Sequence, residues 1–161
     1  PFDVAVVLHD SVFVQQPLVM NPADIPDFRI LWDFAHWHDQ PEDEERLIRL
    51  LCDPDDLLAF HSDKAAWTGC FGVMSAIRHS FLQKMDKRYD LVRLVEGVSK
   101  RFHRMSLERV WACLLQKEGG RHPPLYGGVH DFFDWGISIE DYQNLRNTFR
   151  HMPLVKVWTG R

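Results

Sequence analysis

Two glycines three positions apart interrupt an otherwise apolar run, Trp67-Thr68-Gly69-Cys70-Phe71-Gly72-Val73-Met74-Ser75. Buried strands and helices ordinarily exclude glycine, which packs nothing and loses the most backbone entropy on folding. Glycine in such a run marks a bend, or a place where a ligand or another backbone comes close. The segment that follows, Arg78 to Tyr89, reads as a helix. A glycine-bearing strand end that feeds a helix is a common pocket floor in an α/β domain. A tight turn without any ligand is the other reading.

The remaining pattern alternates strands and helices. Phe2 to Val14 is valine-rich with both faces apolar, which predicts a central strand covered on both sides. Pro17, Pro22 and Pro26 make the next stretch loop or edge, and Phe28 to Phe34 alternates as a strand. Pro41 followed by Glu42-Asp43-Glu44-Glu45 predicts a helix start, because proline suits the first turn and carboxylates suit its positive end. The acidic run reads as a solvated face, with Leu47, Ile48, Leu50 and Leu51 as the apolar stripe up to Cys52. Asp53 to Asp56 breaks that helix or opens a new turn, and Leu57 to Phe60 is expected as a strand.

Further helices are expected over about Ser80 to Lys87 and within Asp90 to Lys100. Another runs from Leu107 to about Lys117, with Ser106 as N-cap and Gly119-Gly120 as its stop. Ser138 caps a last helix, Ile139 to about Phe149, and Leu154 to Thr159 closes as a strand. The class is α/β or α+β with a mixed sheet.

The 161 residues are enough for one domain with a substantial core. A formal charge of -4 provides no basic field for nucleic acid. No apolar run approaches the roughly 20 residues that span a membrane, and no signal peptide is recognisable. The chain opens on an apolar strand at Pro1, as a fragment or processed product would. Cys52, Cys70 and Cys113 have no short spacing and sit among apolar neighbours, so they read as buried free thiols of a reducing, cytoplasmic compartment. Trp32, Trp37, Trp67 and Trp135 suit the core, and one of them lining a sugar cleft is the alternative. His36 and His38 would point the same way on a strand and could chelate a metal.

Several of these segments, taken in order, resemble the second half of nucleotide-sugar glycosyltransferases of the GT-A fold. Trp67 to Leu82 is similar to that family's glycine-bearing strand and the helix start that follows it, with Arg78, Phe81 and Leu82 in place. Phe2 to Ser11 resembles the apolar strand ending in the metal-binding Asp-x-Asp motif, with Val12 at the position of the second Asp. Arg104 to Val110 resembles a helix start that often carries a catalytic acid, and Gly127-Gly128-Val129-His130 lies where several such enzymes place a metal-binding histidine. Lys156 to Arg161 resembles the close of such domains. The resemblance covers nearly all of residues 1–161. It implies a partial GT-A-like domain, a mixed sheet flanked by helices, without the N-terminal nucleotide-binding part.

The implied activity is metal-dependent transfer of a sugar from a nucleotide-diphosphate donor to a hydroxyl acceptor. A divalent cation, manganese or magnesium, would be held by Asp10, with His9 beside it, and by His130. Glu108 would be the general base, kept ionised by the first turn of its helix, with Asp63 as second candidate. Trp67, Gly69, Cys70 and Gly72 would line the donor or acceptor, and Arg104 or Lys156 would stabilise the leaving diphosphate. Each has a plainer role open to it: Asp10 capping a turn, His130 at the surface, Glu108 complementing a helix dipole. Two other functions stay open, a non-catalytic α/β binding or interaction domain and a metal hydrolase built on His9, Asp10, His36 and His38.

Overall fold

The computed structural model describes residues 2–131, 136–145 and 147–158. In chain order these form β1 (Val4–Val7), β2 (Val12–Val14), β3 (Phe28–Ile30), β4 (Asp33–Phe34), α1 (Pro41–Ile48), α2 (Asp55–Ser62) and β5 (Gly69–Cys70). There follow β6 (Ser75–Arg78), α3 (His79–Tyr89), α4 (Val92–Glu96), α5 (Arg101–Gly119), β7 (Ile137–Ser138), α6 (Ile139–Asn144) and β8 (Leu154–Trp158). The class is mixed α/β with small sheets. β6 lies between β1 and β3, antiparallel to both, and β4 pairs with β5. β8 lies between β2 and β7, antiparallel to β2 and parallel to β7.

The expected strand over Phe28 to Phe34 is present as β3 and β4, and it organises the interior. One edge pairs with residues 69–78, while the other receives Leu125 and Tyr126, whose N–H groups donate to Ile30 and Leu31 at 2.8 and 2.9 Å. One apolar cluster joins Phe28 and Ile30 to α1, α2, α3, α4 and α5 through Leu47, Leu57, Phe81, Leu94 and Val110. A second joins Leu31, Trp32 and Phe34 to Met74, Val129 and β8.

Five expectations are corrected. Phe2 to Val14 is not one central strand: the chain turns at His9 and Asp10, with Val12 N–H donating to His9 C=O, so β1 and β2 join different sheets. β1 is an edge, and Val6 is 37% exposed. Leu57 to Phe60 is helical, because Asp55 and Asp56 start α2 and the buried residues Leu57 and His61 fall one helical turn apart. The last helix stops at Asn144.

The fourth correction bears on the site. α5 begins at Arg101, so Ser106 is interior and its hydroxyl donates to the Phe102 carbonyl at 3.2 Å. His103 instead serves the helix start, its ring nitrogen accepting from Ser99 N–H. Glu108 therefore sits two turns into α5, beyond the reach of the helix N-terminus.

The acidic run of α1 is not all solvated. Glu44 is fully buried, accepting from Gln40 N–H at 2.7 Å and lying 2.7 Å from His61 Nε2. Burial alone would raise its pKa, but the hydrogen bonds with His61 and Gln40 outweigh it and hold the carboxylate below its ordinary range. Arg109, 2% exposed, completes the network: Nε donates to Asp39 Oδ1 at 2.9 Å and lies 3.5 Å from Glu44 Oε1, and Nη2 donates to the Trp37 carbonyl at 2.7 Å.

Two stability changes follow. Arg109→Ala leaves the buried Glu44 and its neighbour Asp39 with Lys64 alone as cation, at 3.4 and 3.0 Å, and urea denaturation should report a loss of about 3 kcal/mol; a loss under about 1 kcal/mol would mean that α5 is held by apolar packing alone. At Gly69 an added Cβ would meet the Phe34 ring at 2.2 Å. Gly69→Ala should therefore cost at least about 2 kcal/mol, and the double variant Gly69→Ala/Phe34→Leu should recover part of it. No recovery in the unfolding midpoint would separate the glycine from the ring.

Candidate functional site

A backbone excursion builds the centre of the candidate site. Leu31 and Trp32 face four residues, Phe71 to Met74, on the neighbouring strand. The flanking bonds hold, with Leu31 N–H to Met74 C=O at 2.9 Å and Phe71 N–H to Trp32 C=O at 3.0 Å. The surplus chain is thrown out as a 3₁₀ turn, with φ of 60° at Gly72 and 54° at Val73. Glycine accepts that conformation, whereas a β-branched residue in it is strained by about 1–3 kcal/mol. The turn sets Gly72 against His9, where an added Cβ would lie 3.3 Å from the His9 Cβ and Cδ2.

Glu108 of α5 faces this turn. The residue is partly buried, and that burial pushes its pKa up to about 7. The Gly72 N–H, then Arg109, Lys156 and Arg104, pull the other way. Arg104 stands one helical turn before Glu108 on an exposed part of α5.

Lys156 comes from β8, 8% exposed and directly across from Val12 of β2. Its Nζ donates to Ser11 Oγ and lies 3.2 Å from His9 Nδ1. Burial lowers the lysine pKa, opposed by the charges of Asp10 and Glu108. His9 Nδ1 is also 2.7 Å from Asp10 Oδ1 and 2.9 Å from Ser11 Oγ. One nitrogen serves one partner at a time: carrying a proton it donates to Asp10, and bare it accepts from Lys156. Burial and then Lys156 hold the imidazole below its usual pKa, against Asp10.

Of the residues singled out in the sequence, Asp10, Gly72, Arg104, Glu108 and Lys156 therefore meet at one place. Trp67, Gly69 and Cys70 do not join them. Trp67 is 1% exposed, with Nε1 donating to the His61 carbonyl at 3.1 Å and its ring between His36 and His61. Gly69 packs on Phe34, and the Cys70 thiol, raised well above its ordinary pKa by burial, donates to the Met74 carbonyl. These three residues are core rather than lining. Asp63 is exposed after α2, its carboxylate accepting from Ala65 N–H at 3.2 Å within its own turn.

His130 packs beside Trp37, with ring centroids 4.9 Å apart, rather than beside His9 and Asp10. His36 and His38 lie in a turn, not a strand, and His38 has a φ of 59°. Both His36 nitrogens are engaged, Nδ1 at 3.1 Å from Asp39 Oδ2 and Nε2 at 2.9 Å from the Trp67 carbonyl. The expected chelating pair is not formed. Trp135 and residues 159–161 fall outside the described residues.

A divalent cation of the manganese or magnesium kind needs several oxygen ligands. The His9-Asp10-Ser11 turn supplies one carboxylate, with an ammonium group reaching into it and Val12 where a second acid would stand. Among the described residues no group of three or more His, Cys, Asp or Glu is arranged to hold a metal ion. The donor set fits a protein-held metal poorly. Ser11 and His9 are the site residues that sequence spacing underweighted; the signal was their place in the turn beside Asp10.

No family model matches the chain, and no curated protein or solved structure is similar to it at a significant level.

Proposed function

We propose that this chain is a glycosyltransferase domain of GT-A type, transferring a sugar from a nucleotide-diphosphate donor to a hydroxyl acceptor. The observation that supports it is the meeting of His9–Ser11, Gly72, Arg104–Glu108 and Lys156, the segments in which the sequence resembles that family. In the proposed reaction the acceptor oxygen attacks the anomeric carbon and gives its proton to Glu108. A carboxyl with a pKa of about 7 suits that task near neutral pH. The bond to the diphosphate breaks with its electron pair on the phosphate oxygen, beside Arg104 and Lys156. Among the described residues no helix is long and apolar enough to cross a membrane. The free thiols Cys52, Cys70 and Cys113 accord with a cytoplasmic setting.

A non-catalytic binding domain is the second reading, favoured by Val12 at the acid position and by the closed packing of Trp67, Gly69 and Cys70.

Glu108→Gln separates the two. As general base, its loss should cut release of nucleoside diphosphate from a sugar donor by about 10²–10⁴-fold with donor binding nearly intact. The parent's rate should rise with pH through about 7, and that rise should vanish in the variant. Stability moves the opposite way. The folded state holds the Glu108 proton more tightly, so the parent loses stability as pH rises from about 4.5 to about 7. The glutamine variant escapes that loss and should be more stable than the parent at pH 8, by on the order of 3 kcal/mol. Full turnover in the variant would remove Glu108 from the chemistry.

A further inference from the structure

We propose that the Lys156 ammonium, held between His9 and Ser11, is the cation that receives the leaving diphosphate, in the place a metal ion would take. This rests on the transferase reading and names how that site handles its substrate's charge.

The groups bonded to Lys156 are an imidazole nitrogen and a hydroxyl, not a carboxylate. The contrast with Arg109, which is bound to Asp39 and close to Glu44, is direct. A buried cation matched by acids is already neutralised, whereas one resting on neutral groups keeps its charge for an incoming anion. The lysine is also held rigidly. β8 is paired on both sides, and Val157 N–H donates to Ser11 C=O at 2.9 Å, tying the strand to the turn next to the lysine. Gly136, with a φ of 125°, lies so close that an added Cβ would be 3.1 Å from the Lys156 Cγ. The stem is therefore packed from the β7 side, and the ammonium is directed at the turn.

Charge also argues against a metal in this position. A doubly charged ion in the turn would meet the Lys156 ammonium and, beyond it, Arg104, with Asp10 as the single nearby carboxylate from the turn. A diphosphate meets Lys156 and Arg104 with attraction, opposed by the carboxylates of Asp10 and Glu108. Lysine acts on phosphate as a point charge and needs no fixed coordination geometry. In the transfer step the anomeric C–O bond breaks and its electron pair stays on the diphosphate oxygen, which Lys156 stabilises. The acceptor oxygen makes the new C–O bond, and its proton passes to Glu108.

The test is calorimetric titration of the whole chain with UDP, GDP and inorganic pyrophosphate, in EDTA and then with manganese. The parent should bind at least one of them in EDTA. Lys156→Met should weaken that binding by tenfold or more, and Lys156→Arg should retain most of it, each variant being checked for an intact unfolding transition. Binding in EDTA on the parent alone decides against a required metal should Lys156→Met not fold. Diphosphate binding that appears only with manganese, or equal binding by a folded Lys156→Met, would overturn the lysine assignment and leave the transferase reading standing. Absence of binding with and without manganese would remove both.

Discussion

The guanidinium of Arg109 fixes the rotation of α5, and most of the molecule is arranged around that helix. The group is bonded at once to Asp39, to the carbonyls of Trp37 and Met105, and lies within ion-pair distance of Glu44. Breaking a buried pair costs far more than forming it gains, because the charge left behind is unsolvated. A helix tied in this way cannot turn about its axis. Adjacent residues on a helix point about 100° apart. Once Arg109 faces Asp39 and Glu44, Glu108 must face elsewhere, and it faces the Gly72 turn. Gln116, farther along, holds the same register from the other end, its amide exchanging bonds of 2.8 and 3.2 Å with the backbone of Thr68.

That second tie explains how strain at Gly72 and Val73 can persist. Residues 69–70 and 75–78 are both paired with the 28–34 segment, and Thr68 is tied to α5, so the chain between them has surplus length and two fixed ends. It can only bulge outward. A valine with positive φ is the result, and the surrounding pairings determine it fully. The backbone N–H of Gly72 is thereby aimed at a carboxyl that burial would otherwise keep protonated well above its usual range.

The sequence made the residues that meet beside the Gly72 turn more legible than the fold around them. Asp10, Gly72, Arg104, Glu108 and Lys156 could be picked out because the segments that carry them resemble, in order, pieces of one family. Glu44 could not, since an acidic run after proline looks like a solvated helix start. Yet Glu44, Leu47, Ile48 and Leu51 fall at helical spacing on one face, and all four are buried. The stripe was visible, with a charged residue in it. Arg109 sits likewise in the buried row Ser106, Arg109, Val110 and Cys113. The start of α5 was misplaced because Ser106 is a good cap in isolation, while Arg101 to Met105 contain nothing that stops a helix. Trp67, Gly69 and Cys70 pointed to a pocket, but Phe34 fills the space that the first glycine vacates. Only tertiary structure decides whether a glycine's space goes to a ligand or a ring.

Two buried cations, a few residues' width from Glu108, divide the labour on electrostatic grounds. Arg109 stands among carboxylates and donates three hydrogen bonds to carboxylate and carbonyl oxygens, so its charge is spent within the fold. Lys156 stands on neutral groups, and its burial is only partly offset by the more distant charges of Asp10 and Glu108. Keeping an under-compensated ammonium in a strand interior is costly. The sheet tolerates it because β8 is pinned on both edges and its neighbours Val155 and Val157 are fully buried in the second apolar cluster. The apolar burial on either side of the lysine therefore offsets the cost of the charge between them, and under the proposed transferase reading the leaving diphosphate would complete its neutralisation.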